Sequence, residues 1–193
     1  MHLKLLERQE CQTLYAIAGI EKLQHIRMCV FERSKTMVIS LFKAGLNEAS
    51  MIHKMQIKAF MPLLNQYQDY ETSPANETVE RIIDRLKQSY TDYYIIENSN
   101  APVGAIRIVR KENSTFRVSP VFILPEHQGK GFAQIVFSMI EDIYNDAVVW
   151  ELDTILQEQG NCYLYEKFGY QKTGGIKEIN EKMTIVYYEK RLI

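Results

Sequence analysis

The sequence predicts a mixed α/β (α+β) domain: a twisted, mostly antiparallel sheet of about seven strands flanked by helices, behind an N-terminal extension. Three observations predict it. Short apolar runs of strand length alternate with segments of helical periodicity across residues 36–193. Two central runs, Val103–Val109 and Phe116–Leu124, are joined by the polar turn Lys111-Glu-Asn-Ser, which is hairpin chemistry. The second run then passes through a glycine-bearing loop into an apolar-rich helix beginning near Gln134.

The elements follow in order. Residues 1–35 form an extension expected to be helical and packed on the main domain, because no Pro/Gly/Ser linker separates them from it. Leu3, Leu6, Leu14, Ile17 and Ala18 have partial helical spacing, and Ile20–Phe31 reads equally as a second helix or a strand. Met37 offers an alternative start for a shorter product. Val38–Phe42 is the first strand of the 36–193 domain. Asn47 is placed to cap a helix with Met51, Ile52, Met55 and Ala59 on one face, which Pro62 ends or kinks. An aromatic loop follows, and Asn76 is placed to cap a helix buried through Val79, Ile82, Ile83 and Leu86. Tyr93–Glu97 is a strand, Asn98–Pro102 a turn, and the central hairpin comes next. After the glycine loop and its helix come a strand near Val148–Leu152, a helix across Asn161, and a closing pair of strands near Tyr170 and Thr184–Glu189.

Composition removes several function classes. The chain has 193 residues and a net charge of −1, so it presents no basic field for nucleic acid or an anionic membrane. Its apolar runs fall well short of the roughly 20 residues of a membrane span. The early charges in Met-His-Leu-Lys-Leu-Leu-Glu-Arg are unlike a signal peptide, so the expected location is cytoplasmic, with Cys11, Cys29 and Cys162 reduced. The histidines are scattered and no metal is expected.

The chemistry concentrates in two segments. Pro120-Val-Phe-Ile-Leu-Pro-Glu-His-Gln-Gly-Lys-Gly-Phe-Ala133 carries a strand into a glycine loop that opens a helix. Free N–H groups at the positive end of a helix dipole bind phosphate, and Gly129 and Gly131 let backbone approach a ligand closely. Gly131 is followed by Phe132, which excludes a Walker loop, and Gln134 stands where a dinucleotide fingerprint needs a third glycine. Downstream lies Asn161-Cys-Tyr-Leu-Tyr165-Glu-Lys-Phe-Gly169-Tyr170.

Gln128-x-x-Gly131-x-Ala133 after a Leu-Pro-Glu strand end resembles the acetyl-CoA loop of GNAT-family N-acetyltransferases, and the second segment resembles that family's downstream motif. The resemblance covers about residues 36–193 and implies acetyl transfer from acetyl-CoA to an amine by direct attack in a ternary complex. It implies that Gln128, Gly129, Lys130, Gly131, Phe132 and Ala133 wrap the pyrophosphate, that the backbone of Phe122 and Ile123 holds the pantetheine arm beside a bulge at Pro120, and that Asn161 bonds the cofactor. Gln128 departs from the Arg of many relatives, which removes a side-chain salt bridge but not the backbone cradle. Tyr165 takes the position of the general acid for the departing thiolate. The base is open: Glu151 and Asp153 share one strand face by period-two alternation. Tyr67, Tyr70 and Glu71 fall in the region that forms the acceptor wall in relatives. The acceptor is a small-molecule amine or a protein or peptide amine, and a homodimer is compatible with the extension. A different reading is a non-catalytic acyl-CoA-binding or sensing module whose extension is an interaction surface, motivated by the absence of a Glu on the bulged strand.

Overall fold

The computed structural model describes residues 25–32 and 35–192. In chain order the elements are β1 (His25–Glu32), β2 (Lys35–Lys43), α1 (Ala49–Tyr67), α2 (Val79–Lys87), β3 (Thr91–Asn98), β4 (Ala101–Arg110), β5 (Thr115–Ile123), α3 (Phe132–Ile143), β6 (Val149–Ile155), α4 (Gln159–Lys167), β7 (Gln171–Asn180) and β8 (Met183–Arg191). They build one sheet of order β1-β2-β3-β4-β5-β6-β8-β7. Every described pairing is antiparallel except β5 with β6.

Strands β2 to β8 supply the seven strands expected of residues 36–193, and β1 adds an eighth from within the extension. His25–Glu32 is a strand, not a helix: it pairs with β2 from His25↔Phe42 to Glu32↔Lys35. The helical expectation for Leu3–Ala18 lies outside the described residues. Met37 falls inside β2.

Helices cover both faces because the central strands are apolar on both. Tyr93 and Ile95 of β3 pack with Ala49, Ile52, Met55 and Ala59 of α1 and Ile82 of α2. Tyr94 and Ile96, pointing oppositely by strand alternation, join α3 and α4. Trp150 of β6 is fully buried in that second core, as a lone tryptophan at a strand centre would be.

Asn47, Met51 and Asn76 depart from the local expectation for tertiary reasons, and Pro62 does so in part. Asn47 does not cap α1. A 3-10 turn, Leu46–Glu48, precedes the helix, and the Glu48 carboxylate accepts the Gly45 N–H at 2.7 Å. Met51 is exposed while Ile52, Met55 and Ala59 are buried. Pro62 does not end the helix, which continues to Tyr67. The turn beyond it is held by burial of Leu64 and Tyr67, a gain that outweighs one lost backbone hydrogen bond. Asn76 is likewise not the cap of α2. Thr78 is, and the Asn76 amide donates to the Tyr70 carbonyl at 2.9 Å.

Candidate active site

Strands β5 and β6 pair only at Thr115↔Val149, Phe116↔Trp150 and Arg117↔Glu151, and then separate. Strand β6 stays in register with β8 as far as Ile155↔Ile185, whereas β5 stays with β4. The sheet is therefore open along one edge of β5. Between Ile106↔Val121 and Ile108↔Val118 the register shifts, so Ser119 and Pro120 oppose Arg107 alone. This is the bulge that a proline within the strand predicts. The Arg107 guanidinium satisfies the displaced carbonyl of Ser119. Burial, with the Arg85 charge nearby, lowers the Arg107 pKa to about 10.

Which groups face the opening follows from one hydrogen bond. Leu124 N–H donates to Val103 O at 2.8 Å. Alternation then turns the N–H and C=O of Phe122 toward Ala105, and those of Val121 and Ile123 into the gap. Of the two residues expected to hold an extended ligand by backbone, Ile123 faces the gap and Phe122 faces β4. Val121 is the second gap-facing residue. Gly104 makes this approach possible, since a Cβ there would lie 2.2 Å from the Phe122 carbonyl oxygen.

At the end of β5 the chain turns through a 3-10 turn, Pro125–His127, into the glycine loop. Gly129 and Gly131 have φ of 72° and 77°, and Gly131 is the N-cap of α3. The N–H groups of Phe132, Ala133 and Gln134 have no acceptor one turn back, so they open outward from the helix end. A Cβ on either glycine would meet nothing within 4 Å, so the loop surface is an open cradle. A pyrophosphate fits it on charge and on space. The Gln128 amide donates to Ile123 O at 2.9 Å. Lys130 Nζ donates to Glu126 O at 2.8 Å instead of reaching over the loop, and the Phe132 side chain is buried.

A cleft of about 350 Å³ continues from the gap. Asn161 and Tyr165, one turn apart on α4, both line it. Tyr165 is buried, and its phenol is pushed above the ordinary tyrosine range by burial first and by the nearby Asp153 charge second. Asp153 lines the cleft and is paired with Arg117 across the point where β5 and β6 separate. Glu151 is not in the cleft lining and pairs with Lys111 at 2.7 Å.

Tyr67, Tyr70 and Glu71, expected at an acceptor wall, occupy two different settings. The Tyr67 hydroxyl donates to Glu158 Oε1 at 2.6 Å, and burial followed by that bond raises its pKa to about 12. Tyr67 thus ties the end of α1 to the start of α4. Tyr70 and Glu71 line a bay of about 330 Å³ that lies against residues 177–180 of β7 and shares Asp69, Thr72, Lys177 and Ile179 with the cleft. Sequence reasoning missed Glu77, Arg85 and Arg117 in the cleft. Glu77 accepts both Arg85 nitrogens and the Gln56 amide, the last at 2.8 Å. The only available sign of Arg117 was a charge within the strand-like run Phe116-Arg-Val-Ser. Nothing local joined Glu77 to Arg85.

Among the described residues no group of three or more His, Cys, Asp or Glu could hold a metal, and no helix is long and apolar enough to cross a membrane.

A family model described as an acetyltransferase (GNAT) domain matches residues 64–192. No curated protein sequence matches the chain. Among solved structures, an acetyltransferase from Salmonella typhimurium that modifies the N-terminal serine of ribosomal protein L7/L12 is similar at 15% identity and TM-score 0.64, covering 80% of this chain and 95% of its own. Spermidine N-acetyltransferase from Vibrio cholerae, with CoA and spermine, gives 17% identity, TM-score 0.64, and coverage of 79% and 95%. The PaiA N-acetyltransferase of Thermoplasma acidophilum, with coenzyme A, gives 12%, 0.63, and 80% and 99%.

Proposed function

The chain belongs to the GNAT acetyltransferase family, and from that premise we propose how its cleft carries out acetyl transfer. It is an acetyl-CoA-dependent N-acetyltransferase acting on amines. The observation that carries the site assignment is the parting of β5 from β6 beyond Arg117↔Glu151, with the glycine loop at one end of the opening and Tyr165 at the other.

In this reading the N–H groups from Gly129 to Ala133 hold the pyrophosphate, and the gap-facing N–H and C=O groups of Val121 and Ile123 pair with the pantetheine amides. A gap-facing N–H of β5 also stabilises the oxyanion as the tetrahedral centre forms. Tyr165 gives its proton to the departing thiolate. A phenol kept neutral by burial is suited to that role at any pH where the amine can attack. Asn161 orients the sulfur end from the same face of α4. Of the two carboxylates on β6, Asp153 is the one that lines the cleft, which supports it over Glu151 as proton acceptor. The net charge of −1 supports a free amine over a nucleic-acid partner, and the composition supports a cytoplasmic enzyme.

A tyrosine hydroxyl held in the cleft favours an enzyme over a sensing module. Calorimetric titration with acetyl-CoA, followed by measurement of CoA thiol released on adding amines, tests the reading. Selective acetyl-CoA binding with amine-dependent CoA release supports it. Binding without release for any amine favours the sensing module, and no binding by folded protein overturns both.

A further inference from the structure

The cleft lining carries three acidic and three basic side chains, four of which form two ion pairs. Asp69, Glu77 and Asp153 face Arg85, Arg117 and Lys177. Glu77 is committed to Arg85, and Asp69 accepts the N–H and hydroxyl of Thr72 at 2.8 and 2.6 Å. The remaining opposed pair, Arg117 with Asp153, lies at the vertex where β5 and β6 part. Phe116, Val118 and Leu152 point into the α3–α4 core. Alternation therefore turns Arg117 and Asp153 to the α1–α2 side, where Phe60 and Leu63 of α1 complete the cleft. Both side chains are about 30% exposed, so solvent or a ligand reaches them.

We propose that this pair recognises a zwitterionic α-amino acid as the acceptor, exchanging its internal ion pair for the ligand's two charges. The inference rests on the acetyl-transfer reading above and names its acceptor. The guanidinium of Arg117 takes the substrate carboxylate, for which its planar fork is shaped. The released Asp153 carboxylate takes the adjacent ammonium. Phe60, Leu63, Ile155 and Ile185 line the same cleft and offer apolar walls to the side chain. A polycation finds Glu77 committed to Arg85 and meets three cations, Arg85, Arg117 and Lys177, in this cleft. A simple amine leaves Arg117 and Asp153 to each other, with no base released.

The proton path then closes. Asp153 accepts one ammonium proton and passes it to solvent. The freed nitrogen lone pair forms the N–C bond to the acetyl carbon. The C–S bond breaks with its electron pair going to sulfur, and sulfur takes the Tyr165 phenolic proton. The second nitrogen proton restores Tyr165. The amide, the CoA thiol and one proton are the products.

The test uses the full chain, with CoA thiol release as readout and acetyl-CoA affinity measured by calorimetry in parallel. L-Leucine, L-leucinamide, 3-methylbutylamine, spermidine and the other proteinogenic amino acids are the acceptors. The expected result is an apolar amino acid preferred over its amide and its decarboxylated amine by about 10- to 100-fold in kcat/KM, the scale of one charged hydrogen-bonded contact. Arg117→Gln should reduce that preference to about twofold or less, chiefly through KM of the amino acid, and Arg117→Lys should restore part of it. Asp153→Asn should lower kcat while leaving acetyl-CoA affinity unchanged, with melting curves confirming that each variant folds. Equal or better use of leucinamide or spermidine by the wild type overturns the proposal. So does a preference that survives Arg117→Gln, or acetyl-CoA binding with no amino acid acetylated. Where leucinamide, 3-methylbutylamine or spermidine still releases CoA, the acetyl-transfer reading stands; binding with no release from any acceptor favours the sensing module. Loss of acetyl-CoA binding by folded wild-type protein would instead remove that reading as well.

Discussion

The side-chain amide of Gln128 donates a 2.9 Å hydrogen bond to the carbonyl of Ile123, tying the loop that would cradle phosphate to the strand edge that would hold the pantetheine arm. The two halves of the cosubstrate site are thus fixed in one frame before any ligand arrives.

Gln128→Ala should loosen that frame. The expected cost is one neutral hydrogen bond, about 0.5–1.5 kcal/mol, or roughly a 2- to 10-fold weaker acetyl-CoA Kd by calorimetry. Gln128→Glu should cost more, because it sets a carboxylate against a carbonyl and beside the phosphate site.

Two glycines separate binding from folding. Gly131 has φ of 77° with open space around it, so Gly131→Asn, which tolerates the left-handed region, should keep the fold and obstruct the cradle. Acetyl-CoA affinity should fall at least about tenfold, with little change in Tm. Gly104→Ala should do the reverse. A methyl group 2.2 Å from the Phe122 oxygen forces β4 from β5, at about 1–3 kcal/mol, which a melting curve reads as a Tm lower by roughly 2–12 °C.

Tyr165→Phe should reduce kcat by about 10²- to 10⁴-fold while acetyl-CoA affinity is retained. Burial keeps the wild-type phenol protonated past its ordinary pKa near 10, so the pH–rate profile should show no alkaline loss from this group at pH 9–10. An alkaline fall in that range that vanishes in Tyr165→Phe would identify Tyr165 as the acid and overturn only its raised pKa, whereas an unchanged kcat in Tyr165→Phe would refute the assignment.

Tyr67→Phe should act on stability rather than on acceptor KM, since its hydroxyl is bonded to Glu158. Losing a hydrogen bond to a charged group costs about 1.5–3 kcal/mol. The folded phenol, raised to about 12, keeps a proton that the unfolded chain loses near pH 10. Wild-type stability should therefore fall as pH rises from about 10 to 12, and this slope should be absent in the variant by denaturant titration.

The features legible in the sequence are those whose chemistry is local. Gly129 and Gly131 read correctly because the loop, the helix start and the missing Cβ atoms lie within a few residues. Pro120 announced its bulge for the same reason. Arg117 with Asp153 and Tyr67 with Glu158 were not legible: they join residues 36 and 91 positions apart, across a register no short window states. Asn47 was misread by a sound local rule, and of the two alternatives at Pro62 the helix end is excluded. Burial of Leu64 and Tyr67 carried α1 through the proline, and at the other end Asn47 is taken into a 3-10 turn, so α1 starts after Glu48 with no side-chain cap bond.

The bulge at Ser119–Pro120 also acts as a frame-shift in the strand's inside–outside reading. With two residues opposite one, Val118 and Val121 face the same side although an odd number of positions separates them. Deleting one residue between them would restore one-to-one pairing and erase the bulge while leaving Phe122 and Ile123 on the faces they now hold. A one-residue insertion or deletion elsewhere in β5 would instead turn one side of the strand inside out and carry its open edge along, so the bulge is the one place where the strand absorbs an odd residue without losing its faces.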